Sequence, residues 1–435
     1  MKRSIYTKPI TKVLSADRLV LMKIVEKIDN MNRTLKNENS FLKKTSEEPS
    51  REKLTIRELM NRDFPNCRAV EPDYNPSTPP TVHVFGSLSS GVFFGGLATL
   101  FIAGAKLANE LGYNLQIVQT AAFSPDNSPL GFLRENGVII EPERYSTIDL
   151  SGNKKLPMSE EDIFIVSGWW DAAAIKDISR RNKFIYLIQD FEPIFYNNSD
   201  NYVFANRTYF AKNFIPLINT SMLAKYFEKN NYPFMKDAVI FEPAPAKNIK
   251  MKEPKGKKRT MFLYGRPSTA RNLFYTSVSA INWAMRDSKM QQFDWEIFSA
   301  GDDSVPDIEL DNGIVIKNKG KMALDEYYKF MTKVNLTVSP MMAPHPNYPT
   351  LELANLGGVV VTTKWETKQN LDLYSKNILM AELDADDLAK KIVEAATLDK
   401  KIRRDNFAKN NINTSWDVSL DKPIKEVVKK LHKRV

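Results

Sequence analysis

Short runs of apolar residues alternate with amphipathic or polar stretches along most of this chain. Between residue 81 and about residue 243 the apolar runs have the length of strands, and helical or polar segments separate them. Examples are "DIFIVSG", "KFIYLIQD", "NFIPLINTS" and "DAVIFEP". This alternation is typical of a parallel sheet that helices cover on both faces.

A second series of the same kind begins near residue 259. Its predicted strands are "RTMFLYG", "FDWEIFSAG", "GIVIKNKG", "VNLTVSP", "GVVVTT" and "NILMAEL", and its predicted helices span 270–287, 322–332, the segment around Glu352, and 385–398. The stretch "EPAPAKNIKMKEPKGKK" between the two series is rich in Pro and Lys, as an interdomain linker would be. We therefore expect an α/β protein in which two Rossmann-like domains face each other across a cleft.

The same patterns predict the domain boundaries. We expect a helical extension over 1–60, a first Rossmann-like domain over 61–243, a linker over 244–258, a second Rossmann-like domain over 259–405, and a C-terminal helical segment over 406–435. Apolar residues recur every seven positions over 14–42. This repeat predicts a short coiled coil through which two chains would associate. A helix packed on its own domain is the alternative.

One uncharged run, 84–105, is long enough to cross a membrane. Five glycines interrupt it, so a strand, a loop and the start of a helix explain it better than a membrane span. The first residues also lack the apolar core of a signal peptide. Together with a single cysteine, these features predict a reducing, cytoplasmic setting.

Composition and charge narrow the function further. One cysteine and three histidines argue against a metal centre, so we expect no metal cofactor. Residues 1–60 hold 14 Lys/Arg against 8 Asp/Glu, and residues 400–435 hold 11 against 4. A nucleic-acid enzyme would concentrate positive charge at its cleft rather than at its ends. Basic ends favour peripheral contact with the inner face of a membrane; lysines that only aid solubility are the alternative.

Two elements carry groups suited to a phosphate. Gly95 and Gly96 begin a predicted helix, where free amides and the helix dipole favour an anion, although glycines for tight packing would look the same. In the second series, Arg266 and Lys321 each follow a strand at its carboxyl end, so two cations would converge on a nucleoside diphosphate. The glycine spacing is not that of a nicotinamide dinucleotide site, which argues against an oxidoreductase.

Four motifs carry a resemblance to a known family. The stretches "YGRPSTARN", "APHPNYPTLELANLGGVVVTT", "SGWW" and "IQDFEPIFY" resemble the WsaF-type rhamnosyltransferases, which are glycosyltransferases of the two-domain GT-B fold. The resemblance covers roughly residues 80–420 and leaves out residues 1–60. It implies a dTDP-β-L-rhamnose donor bound by the second domain and a glycan or lipid-linked acceptor bound by the first.

The resemblance also implies roles for individual residues. Arg266 and Lys321 would hold the diphosphate, while Tyr348 and Glu352 would engage the nucleoside-sugar end. Thr350 and the helix start at Gly95 and Gly96 complete the expected donor set. The wider family usually places two glutamates eight residues apart; Glu352 fits the second, and Pro344 stands at the first. A non-catalytic scaffold built on a degenerate transferase is therefore the alternative function.

The acceptor site is expected in the first domain. Trp170, Asp171 and Glu192 follow two neighbouring predicted strands, and an aromatic ring beside carboxylates suits a sugar. Trp169 fits a buried core equally well. Asp190 is the candidate for the general base, or for positioning the acceptor if the reaction retains configuration.

Overall fold

The computed structural model describes residues 54–64, 70–75, 79–86, 95–120, 129–150, 155–179, 184–245 and 251–432. The predicted heptad repeat over 14–42 lies outside these residues. The described residues 54–63 belong to one compact unit, and the described residues from 64 onward belong to another. In the first unit, helix α1 (Ile56–Asp63) starts with a capping box, because Thr55 and Glu58 exchange hydrogen bonds between side chain and backbone.

A parallel seven-stranded sheet forms the first domain of the larger unit. The strands of this part of the chain are β1 (Glu71–Tyr74), β2 (Thr81–Phe85), β3 (Asn114–Gln119), β4 (Tyr145–Asp149), β5 (Lys155–Met158), β6 (Ile163–Val166), β7 (Phe184–Ile188), β8 (Phe214–Asn219) and β9 (Val239–Phe241). The sheet runs in the order β4-β3-β2-β6-β7-β8-β9, and β1 pairs with β5 in a separate ribbon. The helices are α2 (Gly95–Leu111), α3 (Pro129–Glu135), α4 (Trp169–Ile175), α5 (Asp200–Thr208) and α6 (Ser221–Lys229).

Both faces of this sheet are buried, as the continuous apolar runs predict. Along β7, Ile185 and Leu187 join one core, whereas Phe184 and Tyr186 join the other. This alternation follows from the two-residue period of a strand. The sheet is therefore a rigid platform whose strand ends can hold side chains in fixed positions.

The second domain has a sheet of the same size. Its strands are β10 (Lys258–Tyr264), β11 (Asp294–Ala300), β12 (Ile308–Glu309), β13 (Val315–Asn318), β14 (Leu336–Val338), β15 (Val359–Thr363) and β16 (Ile378–Ala381), in the order β12-β13-β11-β10-β14-β15-β16. Only β12 is antiparallel within this sheet. The helices are α7 (Phe274–Ala284), α8 (Leu324–Met331), α9 (Tyr348–Leu356) and α10 (Ala385–Ala396). Two Rossmann-like α/β domains are thus confirmed.

The last helix returns to the first domain. After α11 (Lys400–Phe407), helix α12 (Trp416–His432) buries its apolar stripe in the core that also contains strand β2. Lys106 on α2 forms ion pairs with Asp417 and Asp421 on α12. The predicted C-terminal helical segment therefore completes the first domain instead of standing alone.

Several boundaries differ from the sequence predictions. Strand β1 forms near the start of the first domain, before the first of the predicted strands, although Pro72 lies inside it. The predicted helix over 270–287 is broken, because Leu273 has a positive φ of 53° between a short turn of 3-10 helix and α7. Helix α11 crosses the predicted boundary at 405, and α1 crosses the one at 60. In the described part of the chain, no helix is long and apolar enough to span a membrane.

Candidate functional site

The two domains meet through side chains at the carboxyl ends of their strands. From the first domain, Asp190 follows β7 and Asn219 ends β8. From the second domain, the loop between β14 and α9 brings His345 and Tyr348 to the same place. Ligands of open parallel sheets bind outside such strand ends, so this junction is the candidate site.

Tyr348 links the second domain to the helix start at Gly95. Its ring lies so close that a Cβ at Gly95 would come within 3.3 Å of it, and its hydroxyl lies 2.7 Å from the hydroxyl of Thr99 on α2. The amide of Asn219 donates to the same hydroxyl at 2.9 Å. Burial raises the pKa of Tyr348 to about 12, so the phenol stays neutral. The structure therefore brings two predicted donor residues, Tyr348 and Gly95, together, and Gly96 follows Gly95 in the chain.

Glu352 lies one helical turn beyond Tyr348, inside α9 and not at its start. Its carboxylate accepts a hydrogen bond of 2.6 Å from the hydroxyl of Tyr327 on α8. Burial raises its pKa to about 7, and the Tyr327 hydrogen bond opposes that rise. Tyr348 and Glu352 share one helix face, because residues four apart are neighbours on a helix.

Thr350 packs inside the second domain next to the start of α9. It is fully buried, and its hydroxyl donates to the side chain of Asn347 at 2.6 Å. Asn347 is the N-cap of α9, since its side chain also accepts from the backbone N–H of Thr350. Asn347 and Thr350 thus fix the start of the helix that carries Tyr348 and Glu352.

Arg266 and Lys321 flank one loop of the second domain. Arg266 follows β10, and its side chain packs against Gly301, where a Cβ would come within 2.7 Å of it. The N–H of Gly301 donates to the carbonyl of Gly320, directly before Lys321. Both cations are exposed, and Asp303 accepts from the backbone N–H of Lys321. The two side chains are therefore at the same edge of the sheet, with an acidic loop between them.

The predicted acceptor residues form a cluster at the ends of β6 and β7. The carboxylate of Glu192 accepts from the backbone N–H of Trp169 at 2.6 Å, and a Cβ at Gly168 would come within 2.5 Å of the Trp170 ring. Burial raises the pKa of Asp171 and the pKa of Glu192 to about 8 each. Trp169 itself belongs to the core, since it is 2% exposed.

Asp190 differs electrostatically from these two carboxyl groups. Its carboxylate is 5% exposed and lies 3.2 Å from Nε of Arg271 and 3.5 Å from Nε2 of His345. Burial would raise its pKa, but His345, Arg271 and the N–H of Phe191 together lower it below the ordinary value. A carboxylate that holds its charge this firmly binds protons weakly, which suits positioning better than general-base catalysis.

Sequence reasoning missed three cationic or cationisable side chains at this junction. Arg271 and His345 stand inside quoted motifs but received no role. Lys368 lies fully buried after β15, and its ammonium donates to the carbonyl of Met341 at 2.9 Å. No local pattern marks Lys368, because its partners Met341 and Asp190 are distant in the chain. Among the described residues, no group of three or more His, Cys, Asp or Glu side chains is arranged to hold a metal ion.

Comparison with known proteins supports the fold. The O-antigen biosynthesis protein RfbC of Myxococcus xanthus is 24% identical over 272 residues, which are 61% of this chain and 20% of that protein. The chain therefore spans about a fifth of the length of that curated relative.

Solved structures share the whole two-domain arrangement. The Anabaena protein Alr3699/HepE, crystallised with UDP and glucose, has a TM-score of 0.54 at 12% identity and covers 82% of this chain and 100% of its own. A glycosyltransferase from Rickettsia africae has a TM-score of 0.50 at 14% identity and covers 82% and 99% respectively. At these identities the likeness concerns the fold alone.

Family models match both domains. The model described as WsaF, N-terminal domain, matches residues 84–221, and the model described as WsaF, C-terminal domain, matches residues 259–393. The two matches together span more than half of the residues and fall on the two sheets. The chain belongs to the WsaF family, and its two Rossmann-like domains have the GT-B fold.

Proposed function

We propose that this glycosyltransferase moves L-rhamnose from dTDP-β-L-rhamnose onto a growing cell-surface polysaccharide or lipid-linked glycan. The observation that carries the proposal is the contact of Tyr348 with Thr99 and Asn219. It places the donor motif of the second domain directly over the glycine helix start of the first domain. A sugar nucleotide held by that motif would have its sugar at the junction of the two domains.

The donor side is assigned to the second domain. Glu352 offers a buried carboxyl group to sugar or ribose hydroxyls, and Tyr348 sits on the same helix face. Arg266 and Lys321 supply positive charge at one sheet edge for the diphosphate, whose negative charge grows as the sugar leaves. Gly95 and Gly96 leave room for close approach at the helix start. In this scheme no step requires a metal ion.

The acceptor side is assigned to the first domain. A hydroxyl oxygen of the acceptor attacks the anomeric carbon, the bond from that carbon to the diphosphate oxygen breaks, and the hydroxyl proton passes to a carboxylate. Glu192 and Asp171, with pKa values raised to about 8, suit that proton transfer better than Asp190. Trp170 would cover the apolar face of the acceptor sugar, and Asp190 would position it.

The setting of the reaction belongs to the same proposal. RfbC is described as an O-antigen biosynthesis protein, which supports a role in polysaccharide assembly. The basic ends of the chain suit a cytoplasmic enzyme held at the inner face of the membrane, near a lipid-linked acceptor. The heptad repeat over 14–42 would allow self-association.

A thermal-shift screen with dTDP-, UDP- and GDP-sugars tests the donor. A ligand that binds the native state raises the unfolding temperature by mass action, so dTDP-rhamnose should give the largest shift. A transfer assay that detects released dTDP then tests the reaction. If no nucleotide sugar shifts the transition, the chain is a scaffold. If UDP- or GDP-sugars alone do so, the donor assignment is wrong.

A further inference from the structure

Arg271, His345 and Lys368, together called the cationic pocket below, all interact with the carboxylate of Asp190. Arg271 and His345 lie within ion-pair distance of it. Burial lowers the pKa of Lys368 to about 7, and the charge of Asp190 opposes that lowering. All three come from the second domain, whereas Asp190 comes from the first. One buried anion therefore faces three groups that can carry positive charge.

The cationic pocket has donors to spare. Within the described residues, Nε of Arg271 and Nε2 of His345 make no hydrogen bond of acceptable geometry, despite their closeness to Asp190. The Arg271 guanidinium is also held in place, because its Cζ lies 3.9 Å from the centre of the Phe195 ring. A lysine ammonium has three N–H donors, and in the described structure Lys368 uses one of them on Met341.

Neighbouring carboxyl groups do not cancel this positive charge. The carboxyl group of Glu192 interacts with both Asp190 and Asp171, and burial raises the pKa of Glu192 and that of Asp171 to about 8 each. At neutral pH both are therefore largely protonated and neutral. Since buried cations need anionic partners, the pocket is matched better by a dianion than by the single charge of Asp190.

We propose that Asp190 is an internal counter-ion of the cationic pocket, and that a phosphate group of the incoming substrate replaces it there. This inference rests on the proposed function, because the sugar nucleotide supplies the phosphate. A phosphate presents more charge and more acceptor oxygens to the same donors than a carboxylate does. Once replaced, the carboxylate of Asp190 is free to accept a hydrogen bond from the acceptor hydroxyl. Donor binding would thereby prepare the acceptor site.

The proposal predicts that removing the counter-ion strengthens binding of a simple anion. Inorganic pyrophosphate, measured by isothermal titration calorimetry on the full chain, is the probe. Asp190→Asn keeps the shape and removes the charge, so it should bind pyrophosphate about tenfold more tightly than the wild type. Adding Lys368→Met to that variant should abolish the gain. Unchanged or weaker binding by Asp190→Asn would overturn the proposal.

Glu366→Gln provides the matched control. Glu366 lies on the same turn as Lys368 and forms an ion pair between the domains with Lys229, but its side chain is not in the pocket. If looser domains alone explained the gain, Glu366→Gln would show it as well, and that result would also reject the counter-ion. Arg271→Gln, at a partly exposed position, should weaken pyrophosphate binding about tenfold in the wild-type background. No change in that variant would exclude the pocket.

The same variants separate this inference from the proposed function. If Asp190→Asn gains pyrophosphate affinity but no nucleotide sugar binds any variant, the donor assignment fails and the pocket stands. If dTDP-rhamnose binds and reacts but Asp190→Asn has no effect on pyrophosphate or donor affinity, the transferase stands and the counter-ion is rejected.

Discussion

The hydroxyl of Tyr348 lies 2.7 Å from the hydroxyl of Thr99, although 249 residues separate them in the chain. Asn219 donates to the same phenol from another strand end of the first domain. One side chain of the second domain thus joins two elements of the first. The contact defines how closely the donor motif approaches the helix start at Gly95.

Tyr348→Phe should weaken this junction without removing the ring that packs on Gly95. Thr99 and Asn219 would each lose a buried partner, which costs about 1–3 kcal/mol in free energy of unfolding. Transfer should fall about tenfold, because the donor motif would be less firmly positioned. Urea unfolding and kcat/KM measure the two effects. Tyr275→Phe, at a position that is 75% exposed, is the control and should change neither.

Arg266→Ala and Glu352→Gln should each abolish transfer while leaving the fold intact. Arg266 is exposed, and among the described residues its guanidinium donates to the hydroxyl of Tyr264. Replacing it should therefore change the free energy of unfolding little. Glu352→Gln is nearly isosteric and can still pair with Tyr327, but it cannot accept two strong hydrogen bonds from hydroxyls. Released dTDP measures transfer, and circular dichroism checks the fold. Arg286→Ala, which removes an exposed ion pair with Asp311, is the control and should keep full activity. If Arg266→Ala and Glu352→Gln both kept full activity, the proposed donor site would be wrong.

Most of the fold could be predicted from hydrophobic patterning. Strands β7 and β8 are almost continuous apolar runs, as expected of strands that are buried on both faces. Gly357 caps the end of α9 with a positive φ of 92°, as a glycine after a helical segment indicates. Asp384 is the N-cap of α10 and accepts from the N–H of Asp387. These features depend on residues that are close together in the chain, so they can be predicted from one sequence.

What the sequence did not show depends on contacts between distant elements. Strand β1 contains Pro72 and has no apolar alternation, because only its pairing with β5 makes it a strand. Lys368 resembles any surface lysine in the sequence, yet it is fully buried and donates to the carbonyl of Met341. Asp190 and Glu192 are two residues apart, yet burial raises the pKa of one while Arg271 and His345 lower that of the other. No local pattern separates these two carboxylates.

The raised pKa of Glu192 predicts how activity and stability depend on pH. If this carboxyl group accepts the proton of the acceptor, transfer must rise as pH increases from about 6 through 8, where the group loses its proton. Stability should change in the opposite direction. Between its ordinary pKa and about 8, the native state binds a proton that the unfolded state does not, so the free energy of unfolding falls as pH rises.

Glu192→Gln tests both effects. The variant should lose the rise in rate and part of the pH dependence of urea unfolding, with Asp171 supplying the remainder. Glu143→Gln, on an exposed turn, is the control and should keep both profiles. A Glu192→Gln enzyme whose rate still rises from pH 6 to 8 would assign the proton transfer to Asp171 instead, which Asp171→Asn would then show.

Helix α12 should stabilise the first domain although it is last in the chain. Leu420 and Val427 are fully buried against the same core as Val82 on β2. Leu420→Ala removes a large side chain from that core and should lower the free energy of unfolding by about 2–5 kcal/mol. Urea unfolding followed by circular dichroism measures the loss.

Val418 is the matched control for this helix, because it lies on α12 but is 73% exposed. Val418→Ala should change stability by less than about 0.5 kcal/mol. The comparison separates core packing from helix propensity, since alanine favours a helix at both positions. If Leu420→Ala were as mild as Val418→Ala, α12 would be a detachable segment. A large loss in Leu420→Ala alone means that the fold of the first domain depends on α12.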